Sequence, residues 1–223
     1  MEHFEEIPTA VTLSKKVEEQ IRKAITAGLM QPNVLYTETS LAQQMGISRT
    51  PVREAVLELA SRGFVTVLPR RGFMVRIFSE EALREVYDLR WALESHAVRT
   101  LCADPDRYDF SLMEQAAASQ KESGVKAEIN NAVAHGRNFH QELLHLAGNS
   151  MICKIFTDIN DVINVIWTQA FTHSISAVDV ASEHLMIVGL LRAGDAEKAC
   201  ALLKEHLGRS EKAVLAARSA QAF

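Results

Sequence analysis

Two β-rich runs, FVTVLP at 64–69 and GFMVRIF at 72–78, stand alone in a chain otherwise patterned at helical spacing. Only the pair Arg70–Arg71 separates them, so they read as one hairpin. Ahead of the hairpin, TLSKKVEEQIRKAITAGLM places Leu13, Val17, Ile21, Ala24 and Ile25 on one face of a helix, with Ser14 as a candidate cap and Gly28 as its stop. TETSLAQQMGI follows as a short helix with Leu41, Ala42 and Met45 inward and a tight turn at Gly46. A third helix then opens at GISRTPVREAV and runs to about Gly63, with Val52, Ala55, Val56 and Leu59 as its apolar side. Helix, helix-turn-helix and hairpin in that order make a winged helix-turn-helix over residues 1–78.

From Ser79 onward no strand pattern recurs. Helical segments are expected at about 80–103, 110–123, 127–147, 150–171, 178–193 and 195–217, broken at ADPDRYD, SGVK, AGN, THSIS and AGD. Six helices of that length form an all-α antiparallel bundle over 79–223, with Ser79 the natural N-cap at the junction and Asn149 the N-cap after AGN. The predicted fold class is therefore mainly α: an N-terminal winged helix-turn-helix plus a C-terminal helical bundle.

The formal net charge of −4 hides an asymmetry. Residues 1–78 hold ten Lys/Arg against eight Asp/Glu, and residues 79–223 hold fourteen against twenty. Within 38–78 there are six arginines against three glutamates. A basic patch in an otherwise acidic chain fits a polyanion-binding module joined to something else. No uncharged apolar run is long enough for a membrane span, and MEHFEEIPTA lacks the basic-then-apolar layout of a secretion signal. The scattered Cys102, Cys153 and Cys200 have no CxxC spacing, which argues against a disulfide framework and for a reducing cytoplasm.

The start of the third helix carries the chemistry. Stepping 100° per residue from Arg49 puts Thr50 opposite the core side, Arg53 on the flank and Arg49 in the exposed first turn. That turn also offers unpaired backbone N–H groups and the positive end of the helix dipole. Arginine pairs bidentately with guanine, while Ser and Thr reach phosphates or base edges. A DNA major groove read by Arg49, Thr50 and Arg53, with Ser48 and Thr39 near the backbone, is the expected target. Arg70 and Arg71 at the hairpin tip would reach phosphate or the minor groove. The alternative is a well-capped helix start with solvated arginines.

The stretch from IRKAITAGLM through SRTPVREAVLELASRGFVTVLPRRGFMV, residues 21–75, resembles the GntR family of bacterial transcription regulators. The SRTPVRE core and the RG at Arg71–Gly72 carry the likeness, which adds Gly72 to the candidate DNA-binding residues. What it implies is a symmetric homodimer, each winged helix reading half of a short palindromic operator of double-stranded DNA. Residues 80–210 resemble the FCD-type effector domain of the FadR-like branch, in its shorter six-helix, VanR-like variant, through VYDLRWALESHAV, FHQELLHLAGN and EHLMIVGLLRAGDAEKACALLKEHL. That likeness implies a bundle around a pocket for a small organic acid, often with a divalent metal, zinc or nickel, on its floor.

His140, His184 and His206 all fall within expected helices and are followed by apolar residues. Three imidazoles on three packed helices can converge on one ion and leave positions open for a ligand; a hydrogen-bonded core role is the alternative for each. The family pattern usually sets an Asp four residues before the FH histidine, where this chain has Gly136. Restoring Asp there is expected to strengthen metal binding. Arg137 follows on nearly the same face, so a metal-free pocket in which Arg137 and the histidines hold an anion competes. The resemblance implies that Arg90 in LRWALE turns inward to an effector carboxylate; an intrahelical pair with Glu94 on a solvated face is the alternative. Trp91, Trp167, Phe171 and the methionines read as core or dimer surface. An enzyme reading would use the histidines for hydrolysis or general base catalysis. It finds no HExxH, nucleophile elbow or Gly-rich phosphate loop, and leaves the DNA module unexplained. A purely architectural DNA binder would not need so large a bundle with inward polar groups.

Overall fold

The computed structural model describes residues 12–170 and 176–221, and their side chains except at 158, 161–162, 164–170 and 217–221. Phe171, the side chain of Trp167 and most of THSIS therefore lie outside the described residues. The chain divides into two compact units between Ile77 and Phe78.

In the first unit α1 (Leu13–Thr26) buries Val17, Ile21 and Ile25, one residue per turn, against α3 (Arg49–Ser61), which buries Val52, Ala55, Val56 and Leu59. Thr12, not Ser14, caps α1: its Oγ1 accepts from the backbone N of Lys15, and the Ser14 hydroxyl bonds that of Thr12 at 3.1 Å instead. Both residues are hydroxyl-bearing, and only the extended backbone at Thr12 decides between them. The helix ends at Thr26, and Gly28 follows at φ 72°, where a left-handed turn favours glycine. α2 (Glu38–Met45) is capped by Thr37 and ends at Gly46 with φ 65°. The β-strands are β1 (Val65–Leu68) and β2 (Gly72–Val75), antiparallel with Val65 opposite Val75 and Leu68 opposite Gly72. The segment before α2 is bridged to β2 by paired backbone bonds between Tyr36 and Phe73.

The second unit contains α4 (Glu80–Cys102), a single 3₁₀ turn at Pro105–Arg107, α5 (Ser111–Val125), α6 (Ile129–Leu146), α7 (Ser150–Ala170), α8 (Ala177–Arg192) and α9 (Ala196–Gln221). The mainly-α reading holds, with a winged helix-turn-helix followed by a helical bundle. Helix ends move by at most four residues from the sequence expectation, most at the C-terminus of α9, while α4 and α7 begin where expected. The 3₁₀ turn sits inside a break read only as irregular. Ser79 caps α4 by accepting from the N of Ala82, and Asn149 Oδ1 accepts from the N of Met151 and of Ile152 at the start of α7. α5 lies between α6 and α8, while α9 packs along α4, α7 and α8. Leu83, Leu101, Met113, Phe139, Leu143, Ile187, Leu191 and Leu203 are fully enclosed between these helices. Among the described residues no helix is long and apolar enough to cross a membrane.

Candidate functional site

Two sets of side chains stand out, one in each unit. In the first, the buried stripe of α3 turns Arg49, Thr50 and Arg53 to solvent, and Ser48 and Thr39 are exposed beside them. Ser48 has the extended backbone of an N-cap, yet its hydroxyl makes no capping bond. Arg49 reaches Glu38 of α2 at 3.5 Å, a loose pair on an exposed arginine. At the hairpin tip Arg70 and Arg71 are exposed, and Arg70 takes φ 64°, a left-handed conformation unusual for an arginine. Gly72 serves the backbone: at φ 136° a Cβ would lie 2.0 Å from the Tyr36 carbonyl oxygen. Only glycine lets the wing and the segment before α2 approach closely enough for their paired bonds.

In the second unit α6, α8 and α9 bring His140, His184 and His206 together, all buried. His206 Nε2 lies 3.2 Å from His140 Nε2 and 3.3 Å from His184 Nε2. Each Nδ1 faces an acceptor oxygen: Glu94 Oε2 at 2.7 Å from His140, Gln120 Oε1 at 2.7 Å from His184 and Glu183 Oε2 at 2.9 Å from His206. A ring whose Nδ1–H donates outward carries its lone pair on Nε2. In the tautomer that lets all three Nδ1–H groups donate outward, three lone pairs face one another, a repulsive arrangement that a cation relieves. Metal–nitrogen bonds of about 2.0–2.1 Å place neighbouring ligands about 3.0 Å apart in an octahedron and about 3.4 Å apart in a tetrahedron. The two separations from His206 fall between these, and all three ligand atoms lie within 4.8 Å of one another, so the donor set fits a divalent cation. Phe139 stacks on the His184 ring at 3.9 Å between centroids and helps to fix its plane.

Electrostatics favour the ligating form. Burial, followed by the charge of Arg90 and the neighbouring His206, holds His140 well below the ordinary imidazole value. Burial and then His206, His140 and Arg90 do the same for His184. Burial pushes the Glu94 carboxyl up, while the Arg90 guanidinium opposes it. Burial also works to raise Glu183, but bonds from His206 and Arg209 together hold it below the usual carboxylate value.

A cavity of about 760 Å³ opens beside the histidines, and Arg90, Gln120, Gly136 and Arg137 contribute to its wall. The Arg90–Glu94 pair exists, at 2.8 Å, but it is not on a solvated face: Arg90 is 4% exposed and Glu94 is fully enclosed. Glu94 thereby links the arginine to His140 through its two oxygens. Arg137 Nε is buried without a hydrogen-bond partner among the described residues. Gly136 leaves no empty space for a missing carboxylate; a Cβ there would meet Gln120 Nε2 at 2.6 Å. Trp91 is half-buried, with the Lys204 amine 5.8 Å over its ring. Gln120 and Glu183, which anchor two of the three rings, were missed from sequence. Gln120 left a signal, since Met113, Ala116, Ala117 and Gln120 share the buried face of α5, and an amide at a core position asks for a partner. Glu183 left none.

Residues 13–75 match the family profile of bacterial regulatory proteins, gntR family, and residues 85–209 match the FCD domain. The chain belongs to the GntR family. It is a transcriptional regulator with an FCD domain, in a family of DNA-binding regulators rather than enzymes. Among its relatives, the Nta operon transcriptional regulator of Aminobacter aminovorans is 28% identical over 79% of this chain and 82% of its own length. GntR regulators of known structure share the fold. One from Rhodococcus sp. RHA1 superposes with a TM-score of 0.79 at 24% identity, covering 91% of this chain and 97% of that one. Escherichia coli McbR gives 0.78 at 21% identity, covering 92% and 98%.

Proposed function

We propose that this GntR regulator binds a palindromic operator as a homodimer and senses a small organic acid through a divalent metal held by His140, His184 and His206. The observation that carries this reading is the facing of three imidazole Nε2 atoms whose Nδ1 atoms are all anchored outward. Such a centre, with zinc or nickel bound, offers a Lewis-acidic anchor for an acid oxygen. The chain's own residues do the rest. Glu94, Gln120 and Glu183 orient the rings, Arg90 stands beside the centre to meet the acid, and Arg137 adds a second cation on the wall.

In the first unit, Arg49, Thr50 and Arg53 enter the major groove, while Ser48 and Thr39 take neighbouring phosphates; the uncommitted Ser48 hydroxyl suits that role. Arg70 and Arg71 reach phosphate or the minor groove from the wing, with Gly72 letting the backbone come close. Two copies related by a dyad would set their recognition helices roughly 34 Å apart along one side of the duplex.

Native mass spectrometry of the purified full-length protein tests the reading. The expected species is a dimer with one divalent cation per subunit and, with acid present, one acid per subunit. His140→Ala should lose the cation while remaining a dimer. A monomer at micromolar concentration, or a His140→Ala protein that retains the cation, overturns it.

A further inference from the structure

Gln120 is tied by its oxygen and free at its nitrogen. Its Oε1 accepts from His184 Nδ1, so Nε2 turns toward the space above Gly136, where it has no partner among the described residues. The side chain is 5% exposed and belongs to the cavity wall. Arg137, next to Gly136 on α6, adds a buried Nε that is also unpartnered among the described residues. Two unpaired donors, one of them charged, therefore sit on the same wall. A buried donor without an acceptor, as Arg137 Nε is, is costly, and an anionic group on this wall would give it one while the open Gln120 amide offers a second donor.

The place of Gln120 relative to the histidines decides what kind of anion fits. Nδ1 and Nε2 lie on opposite edges of the His184 ring. Gln120 holds the first edge, and the second faces the other histidines. Seen from the point where the three Nε2 atoms meet, Gln120 stands behind His184. One carboxylate at that point is too short to reach around an imidazole to the Gln120 amide. The wall's charges point the same way. Arg90 is neutralised by Glu94 and Arg209 by Glu183, and the exposed Lys212 and Asp179 oppose each other at the rim. Arg137 is left over, and a divalent cation would add two more positive charges.

We infer that the effector is a dianionic organic acid, one acidic group lying at the open side of His140, His184 and His206 and the other held by Gln120 Nε2 and Arg137 Nε. This rests on the proposed acid-sensing role and narrows its ligand to a class. It also gives Gln120 two tasks, because the amide that reads the second acidic group orients the His184 ring through its other atom.

The test is calorimetric, on the full-length protein with and without saturating zinc. Malonate, succinate and glutarate are compared with the monoacids of equal carbon number, propanoate, butanoate and pentanoate. At least one diacid should bind roughly ten-fold or more tighter than its monoacid, the reading expected for one charge-assisted contact. Arg137→Gln should bring that ratio toward one. Gln120→Glu keeps an acceptor for His184 Nδ1 but sets a carboxylate where the donor was, and should invert the preference. Equal binding of each pair, no binding of any acid, or a ratio that survives both substitutions overturns the inference. Zinc affinity measured on the same samples tests the metal centre separately. A diacid preference without zinc binding keeps the dianion site and removes the metal, while zinc binding without a preference does the reverse.

Discussion

A glycine at position 136 reads from sequence as a missing ligand, because the family likeness sets an aspartate there. The structure gives it a different meaning. The absent Cβ makes room for Gln120, whose amide comes within 2.6 Å of where that carbon would be and meanwhile anchors His184. Gly136→Asp therefore cannot simply add a carboxylate to three histidines. The new side chain must push Gln120 aside and release His184 Nδ1, an overpacking of the sort that costs about 1–3 kcal/mol. The single variant should melt below the parent without zinc. Gly136→Asp combined with Gln120→Ala should recover stability and bind zinc more tightly than the parent, since the carboxylate then has room. Thermal melts and competitive zinc titration of both variants check this. A single variant as stable as the parent, with tighter zinc binding, would show that Gln120 does not fill the space.

At the scale of elements, the sequence was most legible where one helix face decides the outcome. The stripe of Val52, Ala55, Val56 and Leu59 fixed which side of α3 is buried, and with it which arginines face solvent. The hairpin announced itself by β-rich runs around Arg70 and Arg71. Histidines on apolar helix faces could be picked out in the same way. What periodicity cannot carry is pairing between helices. Nothing in the spacing of α5 says that Gln120 meets a residue 64 positions later, or that Glu183 turns to His206 rather than to water. Cap choice between Thr12 and Ser14 likewise depends on a backbone angle, not on residue type. α3 and the wing should differ in how they fail. Arg49→Ala and Arg53→Ala should each cost about 1–3 kcal/mol of specific operator binding if they read bases. Arg71→Ala should weaken all sequences more evenly and flatten the salt dependence, as loss of a phosphate contact does. Anisotropy titrations against operator and scrambled duplexes at several salt concentrations separate the two. Helix variants that bind the operator like the parent would remove α3 from the groove.

For the molecule as a whole, the histidine cluster makes folding depend on pH, with a sign set by which groups are buried. His140 and His184 are held well below 6.5, so as pH falls through that value the unfolded chain takes up two protons that the fold refuses. Their contribution is complete above about 6.5 and is lost as pH falls toward their folded values. Glu94 opposes them: its raised value lets the fold bind a proton that the unfolded carboxyl, near 4.5, does not, so its contribution grows on acidification and is lost as pH rises through its folded value. Glu183, lowered, adds to the acid loss only below about 4.5. The two imidazole protons set an upper bound of about 2.7 kcal/mol per pH unit on the slope below about pH 6.5, and Glu94 reduces it wherever its raised value lets the fold hold a proton. Zinc should enlarge that slope, because each ring must be neutral to ligate and the bound state adds about 2.7 kcal/mol at a hundred times its dissociation constant. Urea titrations followed by circular dichroism at pH 7.5, 6.5 and 5.5, with chelator and with zinc, give both quantities. Stability should fall on acidification in both series, and more steeply with zinc. In His184→Phe, which can still stack on Phe139 but has no nitrogen to protonate or to ligate, the chelator slope should shrink and the zinc increment should vanish. Equal slopes for parent and variant would mean that the buried imidazoles do not govern the acid sensitivity of this fold.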